Sequence, residues 1–299
     1  MELEWGILLV GYLFVGGLAG GAFMISAIAD LLGKGKYKVL SKSGTYLSLV
    51  AILVGLVLLV VDLGRFRVDP LTALNAYINF PTSIVSVGTW VVTAFMVTSL
   101  LTSVLWFFNG SEIIRKLLEL AGLAMGGSTS AYTGLLLSFS GGRPFWNTPY
   151  LPWLFVVSGT LTGLAMALFI IPFVAKLMPR FFDDFSDLFT NKKEFMSTLG
   201  IGQRYIVLLI VIELILVGIE LAMGDAYAAF DFAGLSTIFF AYIIIGLVIP
   251  LGIGYYTRSP KLEGNGNTTI LLSLSSFTMI LIGGFLLRYI ILYTGQLVS

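Results

Sequence analysis

Asp62, Glu220, Arg288 and Tyr132 stand toward one end of long apolar runs, where ionisable side chains are expensive to place. A charge at the centre of a bilayer-spanning helix costs about 2.5–3.5 kcal/mol on insertion scales, so each one needs an account. Tyr132 can donate a hydrogen bond to a carbonyl, Asp62 can exchange a proton, and Arg65 or Arg143 can orient or tune that carboxylate. Such a set suits a quinone, whose two carbonyls need hydrogen-bond partners and whose reduction takes up protons along with electrons. The plain alternative is an interfacial Asp62–Arg65 salt bridge with Tyr132 in an aromatic belt, both routine in membrane proteins.

A second group lies deeper or toward the other end: Glu213, Glu119, Arg204 and Asp30. Glu213 and Glu220 are seven residues apart and so share one helix face. Carboxylates at mid-membrane often mark proton relays, which makes Glu213, Glu220, Glu119 and Arg288 the proton-pathway candidates. Pairing of Glu213 with Arg288 or Arg204 would instead make it structural.

The elements that carry these residues follow from composition. The chain has 299 residues, 58% hydrophobic and 11% charged, with a mean hydropathy of +0.98. Soluble domains carry roughly a quarter charged residues, so this is a polytopic membrane protein. A net charge of +1 with no basic run argues against a nucleic-acid partner. There is no Cys and no His, which rules out thiolate-held iron–sulfur clusters, bis-histidine haem and His-based zinc sites. The nine Met residues read as packing residues, no metal site is expected, and any redox role would use an organic, diffusible carrier. Glu2 and Glu4 precede the first apolar run without a basic region, so that run is expected to be a retained helix rather than a cleaved signal.

A hydrocarbon core needs about 20 apolar residues per helix. Runs near 5–32, 45–63, 84–108, 113–138, 151–175, 201–223, 234–256 and 269–293 predict eight transmembrane helices, with both termini on one side. Thirteen of the 17 Lys and Arg residues fall on the opposite face, leaving Arg65, Arg67, Arg143 and Arg288 with the termini. The positive-inside bias therefore puts both termini on the outer, extracytoplasmic face. Residues 176–200 form the longest inner loop, and the Asn109 and Asn267 N-x-[ST] matches also fall inside and read as chance. "GGLAGGAFM" (16–24) and "SGTLTGLAM" (158–166) align at Gly17/Gly159, Gly21/Gly163 and Met24/Met166, a weak parallel repeat that suggests two four-helix bundles. Small-xxx-Gly spacing is common in membrane helices, so chance similarity accounts for it equally well.

"LVVDLGRFRVDP" (59–70) followed by "PTSIVSVGTWV" (81–91) resembles the membrane subunit of polysulfide reductase and its relatives, the NrfD/PsrC-like family. "YTGLLLS" (132–138), "RPFWNTPYLPWLFVVSGTLTGLAMAL" (143–168) and "VGGLAGGAFM" (15–24) extend the resemblance over most of residues 10–170, while the second half diverges. The resemblance implies an all-α integral membrane protein of the cytoplasmic membrane, with a first bundle in 1–140 and a second in 141–299. It implies a bound menaquinone or other quinone near the outer face, with no haem and no iron–sulfur cluster in this chain. The implied partners are a four-cluster iron–sulfur subunit docked outside and, through it, a molybdopterin catalytic subunit. On this analogy Asp62 and Tyr132 are quinone-site positions in the first bundle, with Gly17 and Gly21 admitting close packing. Residues 143–153, with Arg143, Phe145, Trp146 and Trp153, would form the pocket rim and docking surface. Two departures stand out: the family's Pro after the Arg is Phe66 here, and no His is available for proton exchange. The alternatives are a secondary transporter, or a proton-translocating or structural subunit without quinone chemistry.

Overall fold

The computed structural model describes residues 5–33, 35–62, 75–139, 145–177, 192–223, 235–257 and 266–297. Among them the regular structure is entirely helical, as hydrocarbon demands: a helix satisfies its own backbone polar groups where water cannot. The helices are α1 (Ile7–Gly33), α2 (Lys38–Asp62), α3 (Asn75–Ile78), α4 (Ile84–Phe107), α5 (Glu112–Ser138), α6 (Leu151–Leu177), α7 (Lys192–Met223), α8 (Ser236–Tyr256) and α9 (Gly266–Leu297). Seven, all but α3 and α5, are long and apolar enough to cross a membrane. The expected span at 113–138 is a helix of 27 residues, long enough to cross. It begins with Glu112, Arg115, Lys116 and Glu119 and continues through "GGSTS", and this polarity keeps it out of the apolar class. Between α4 and α5 the chain reverses at Asn109, whose φ of 49° lies in the left-handed region that Asn tolerates better than most residues.

Helix contacts form two closed circuits: α1, α2, α4 and α5 in one, α6, α7, α8 and α9 in the other. The circuits meet mainly where α1 lies against α6. Glycines allow this approach. A Cβ on Gly163 would run into Ala22 and Gly21, and one on Gly159 would come within 2.6 Å of the Gly17 carbonyl oxygen. The residues of the weak repeat thus face each other across the α1–α6 crossing.

Both ends of the described chain sit at the same end of the molecule. Gln296 accepts a hydrogen bond from the Trp5 backbone N–H at 3.0 Å, and its amide donates to the Trp5 carbonyl at 3.1 Å. Within α8, residues Tyr242–Val248 take a π-helical turn, at the level where Gly246 and Gly283 of α9 come into backbone contact.

Candidate functional site

The terminal end of the first circuit holds two buried tyrosines. Tyr12 of α1 and Tyr132 of α5 are buried and near enough to interact electrostatically. Neither hydroxyl hydrogen-bonds to another described residue. Gly88 of α4 makes room for Tyr132, because a Cβ there would overlap the phenol ring. The Tyr12 ring in turn packs near Gly55 of α2, 3.7 Å from where a Cβ would stand. Asp62, half-buried at the end of α2, is seven residues beyond Gly55 and points from the same face, about 10 Å farther along the axis. Tyr12 and Tyr132 thus lie near each other, and Asp62 stands farther along the face of α2 that Tyr12 packs against. Arg65 and Arg143 lie outside the described residues.

Gly17 and Gly21 serve helix packing. Gly21 abuts the backbone of Gly159 and Thr160, and a Cβ on Gly17 would sit 3.1 Å from Nη2 of Arg288. Trp146 departs from the expected rim position: it is 1% exposed. Its indole N–H donates to the Ile291 carbonyl of α9 at 2.8 Å, and its ring stacks on Trp5 with centroids 5.2 Å apart. The physical reason is that a buried indole needs an acceptor for its single N–H, and Gly295 leaves the space through which Trp146 reaches one. Phe145 is buried as well, whereas Trp153 is 64% exposed.

In the second circuit, a buried polar cluster joins all four helices at mid-depth. Glu213 of α7 accepts a hydrogen bond from Tyr242 of α8 through Oε1 at 2.9 Å. Arg288 of α9 is fully buried; its Nη1 donates to Ser158 Oγ of α6 at 2.5 Å and to the Gly284 carbonyl at 3.0 Å. Nη2 donates to the Phe155 carbonyl at 3.5 Å. Glu213 Oε2 and Arg288 Nε have no partner among the described residues. Toward the terminal end, Glu220 is buried with Thr148, whose hydroxyl lies 2.8 and 2.7 Å from its two carboxylate oxygens. Thr148 also lines an open cleft of about 540 Å³ with Ala131, Leu135, Ser138, Asn147 and Trp153.

At the far end of the first circuit, Arg115 binds Asp30 at 3.0 Å and Glu119 at 3.6 Å. Its guanidinium lies 3.8 Å over the Trp106 ring, and Lys42 approaches the same ring at 5.6 Å. Glu119 is thus bound into a charge cluster well away from Glu213. Arg204, the other partner considered for Glu213, is exposed.

Sequence reasoning missed Tyr12, Thr148, Ser158 and Tyr242. Only Tyr12 had a usable signal: it is a polar-tipped residue one turn before Gly16, on the glycine face of α1. The others gain meaning only through contacts made across helices.

The fold defines an all-helical integral membrane protein with buried polar groups at the terminal end of one circuit and through the middle of the other. The whole sequence, residues 1–299, matches the family described as "Polysulphide reductase, NrfD", and the protein belongs to that family. It is 30% identical over 328 aligned positions to the "Protein NrfD homolog" of Haemophilus influenzae, spanning 99% of this protein and 95% of the relative. It is 27% identical to the C subunit of the polysulfide reductase of Wolinella succinogenes, spanning 95% of this protein and 92% of the relative. A more partial likeness, 26% over 56% of this protein and 41% of the relative, is to the "Hdr-like menaquinol oxidoreductase integral membrane subunit" of Archaeoglobus fulgidus.

Proposed function

We propose that this protein is the quinone-reactive membrane subunit of a respiratory oxidoreductase complex in the cytoplasmic membrane. It would pass electrons between menaquinol, or another quinol, and an iron–sulfur partner docked at the terminal end. That partner would connect to a molybdopterin catalytic subunit. The observation that carries the reading is the pair of buried tyrosines, Tyr12 and Tyr132, whose hydroxyls have no partner among the described residues, with Asp62 about 10 Å beyond the Tyr12 level. A tyrosine hydroxyl can donate to a carbonyl oxygen, so two tyrosines near enough to interact suit a ligand bearing carbonyls.

A quinone, when bound, supplies the two-electron, two-proton chemistry. Tyr132 and Tyr12 would donate hydrogen bonds to its oxygens and hold the ring in place. Asp62, half-buried at the end of α2, exchanges protons between that space and the surface. The names of the Wolinella and Archaeoglobus relatives support a quinone-linked complex of several subunits. The reading also takes α5 as an eighth span, with 1–140 and 141–299 as two four-helix bundles. The sequence assigns thirteen of the 17 basic residues to the loops opposite the termini, and the positive-inside bias supports a terminal end outside the cytoplasm. Purifying the complex with its partner subunits, extracting the lipids and measuring quinone content and quinol oxidation tests the proposal. A complex with intact partners, no quinone and no quinol oxidation would remove it.

A further inference from the structure

We infer that Glu213 is a proton-exchanging site at mid-membrane, reached from the terminal end through Thr148 and Glu220. This goes beyond the quinone reading and does not rest on it: Glu213 belongs to α7, whereas Asp62, Tyr12 and Tyr132 belong to α2, α1 and α5.

A structural ion pair would close its hydrogen bonds, and an Arg–carboxylate pair does so most fully as a two-pronged fork. Here Arg288 directs its donors to Ser158, Gly284 and Phe155, and the Ser158 hydroxyl stands between it and Glu213. Among the described residues, Glu213 keeps one oxygen without a partner, and Arg288 keeps its Nε–H the same way. Both residues are no more than 1% exposed. Unpaired polar atoms at such depth call for a small hydrogen-bonding guest, and water is the one that needs two to four such partners. The π turn of α8 presents the Tyr242 hydroxyl to Glu213, and π turns recur at functional sites. The titratable groups facing Glu213 are Tyr242 of α8 and Arg288 of α9; α6 contributes Ser158.

Access runs along one face of α7. Glu220 lies about 10 Å from Glu213 along the axis and is held by Thr148, whose other side lines the open cleft. A hydroxyl has one proton to donate, so its approach to both Glu220 oxygens is fully satisfied when the carboxyl donates back to it. In the transfer, the Glu220 O–H bond breaks, bound water carries the proton inward, and an O–H bond forms at Glu213 Oε2. No electrons move.

The test is pH-jump difference infrared spectroscopy on the full-length protein in lipid bilayers. A buried-carboxyl C=O band should respond to the jump, disappear in Glu213→Gln, persist at a shifted position in Glu213→Asp, and shift in Tyr242→Phe. Glu220→Gln should slow its response by about 10²-fold. A band that is absent from the wild type, or that survives in Glu213→Gln, overturns the inference. An unchanged rate in Glu220→Gln overturns the access route. Failure of the quinone reading would appear separately, as missing quinol oxidation with this band intact.

Discussion

A Cβ placed on Gly21 of α1 would land on the carbonyl of Gly159 of α6, so the two backbones touch with no side chain between them. Helix association in membranes relies on close packing because lipid supplies no hydrophobic drive between helices. Gly21→Ala or Gly159→Ala must therefore push α1 and α6 apart at the seam between the two circuits. Each is expected to lower stability by about 1–3 kcal/mol, the usual cost of overpacking. Gly218, with nothing near its missing Cβ, is the control, and Gly218→Ala should leave stability unchanged or raise it slightly. Thermal unfolding of the detergent-solubilised protein reads all three.

Trp146 offers a second prediction because its burial reverses the role expected for it. Trp146→Phe removes the hydrogen bond to Ile291 and alters the stack on Trp5, while leaving most of the apolar volume. Inter-helix hydrogen bonds in membranes are worth about 1–2 kcal/mol at most in model systems, so a comparable loss is expected in thermal unfolding. Trp153→Ala, at an exposed site, should leave unfolding unchanged. If residues 143–153 face a partner, Trp153→Ala should weaken co-purification of that partner and Trp146→Phe should not.

Hydropathy made the helices legible: the apolar runs located seven of them by length alone, and the glycine spacing marked the faces that meet at the α1–α6 crossing. Asp62 and Tyr132 stand out in the sequence for the same reason, since an ionisable or polar-tipped residue is conspicuous in an apolar run. What stayed hidden was which side chains meet across helices. Thr148 holding Glu220, Ser158 standing between Arg288 and Glu213, and Tyr242 presented by a π turn each depend on contacts between residues more than 25 positions apart. Trp146 was misjudged because an aromatic near Pro and Arg residues reads equally well as a headgroup-level belt or as a buried plug. Only the acceptor at Ile291 decides between them.

The far-end cluster makes a contrast that stability measurements can resolve. Arg115→Ala would leave Asp30 and Glu119, both buried, without their shared cation. Removing one partner from a buried ion pair costs on the order of 3–5 kcal/mol, enough to threaten folding or membrane retention. Asp30→Asn is the gentler variant, keeping the shape while replacing the carboxylate that Arg115 binds at 3.0 Å, and should be the better tolerated. The neighbouring Lys116–Glu112 bridge, at 2.6 Å, is exposed on both sides, and such pairs contribute little. Lys116→Ala should therefore leave unfolding unchanged, which quantitative expression and thermal denaturation of the three variants would check.

Tyr132→Phe separates chemistry from folding at the candidate quinone site. No hydrogen bond joins this hydroxyl to a described residue, so its removal breaks none and should leave thermal unfolding nearly unchanged. If it donates to a bound quinone oxygen, quinol oxidation by the complex should fall by about 10²-fold, the lower end of what a positioned proton donor contributes. Tyr12→Phe should act in the same direction, since Tyr12 lies near enough to Tyr132 to interact with it. Gly88→Ala is expected to lower turnover and stability together, because its methyl would fall within the Tyr132 ring and displace the donor itself. Asp62→Asn should slow turnover with the complex intact if that carboxyl passes protons to the surface. Full quinol oxidation in Tyr132→Phe and Asp62→Asn, measured on complexes with their partner subunits retained, would move the reaction away from this end of the first circuit.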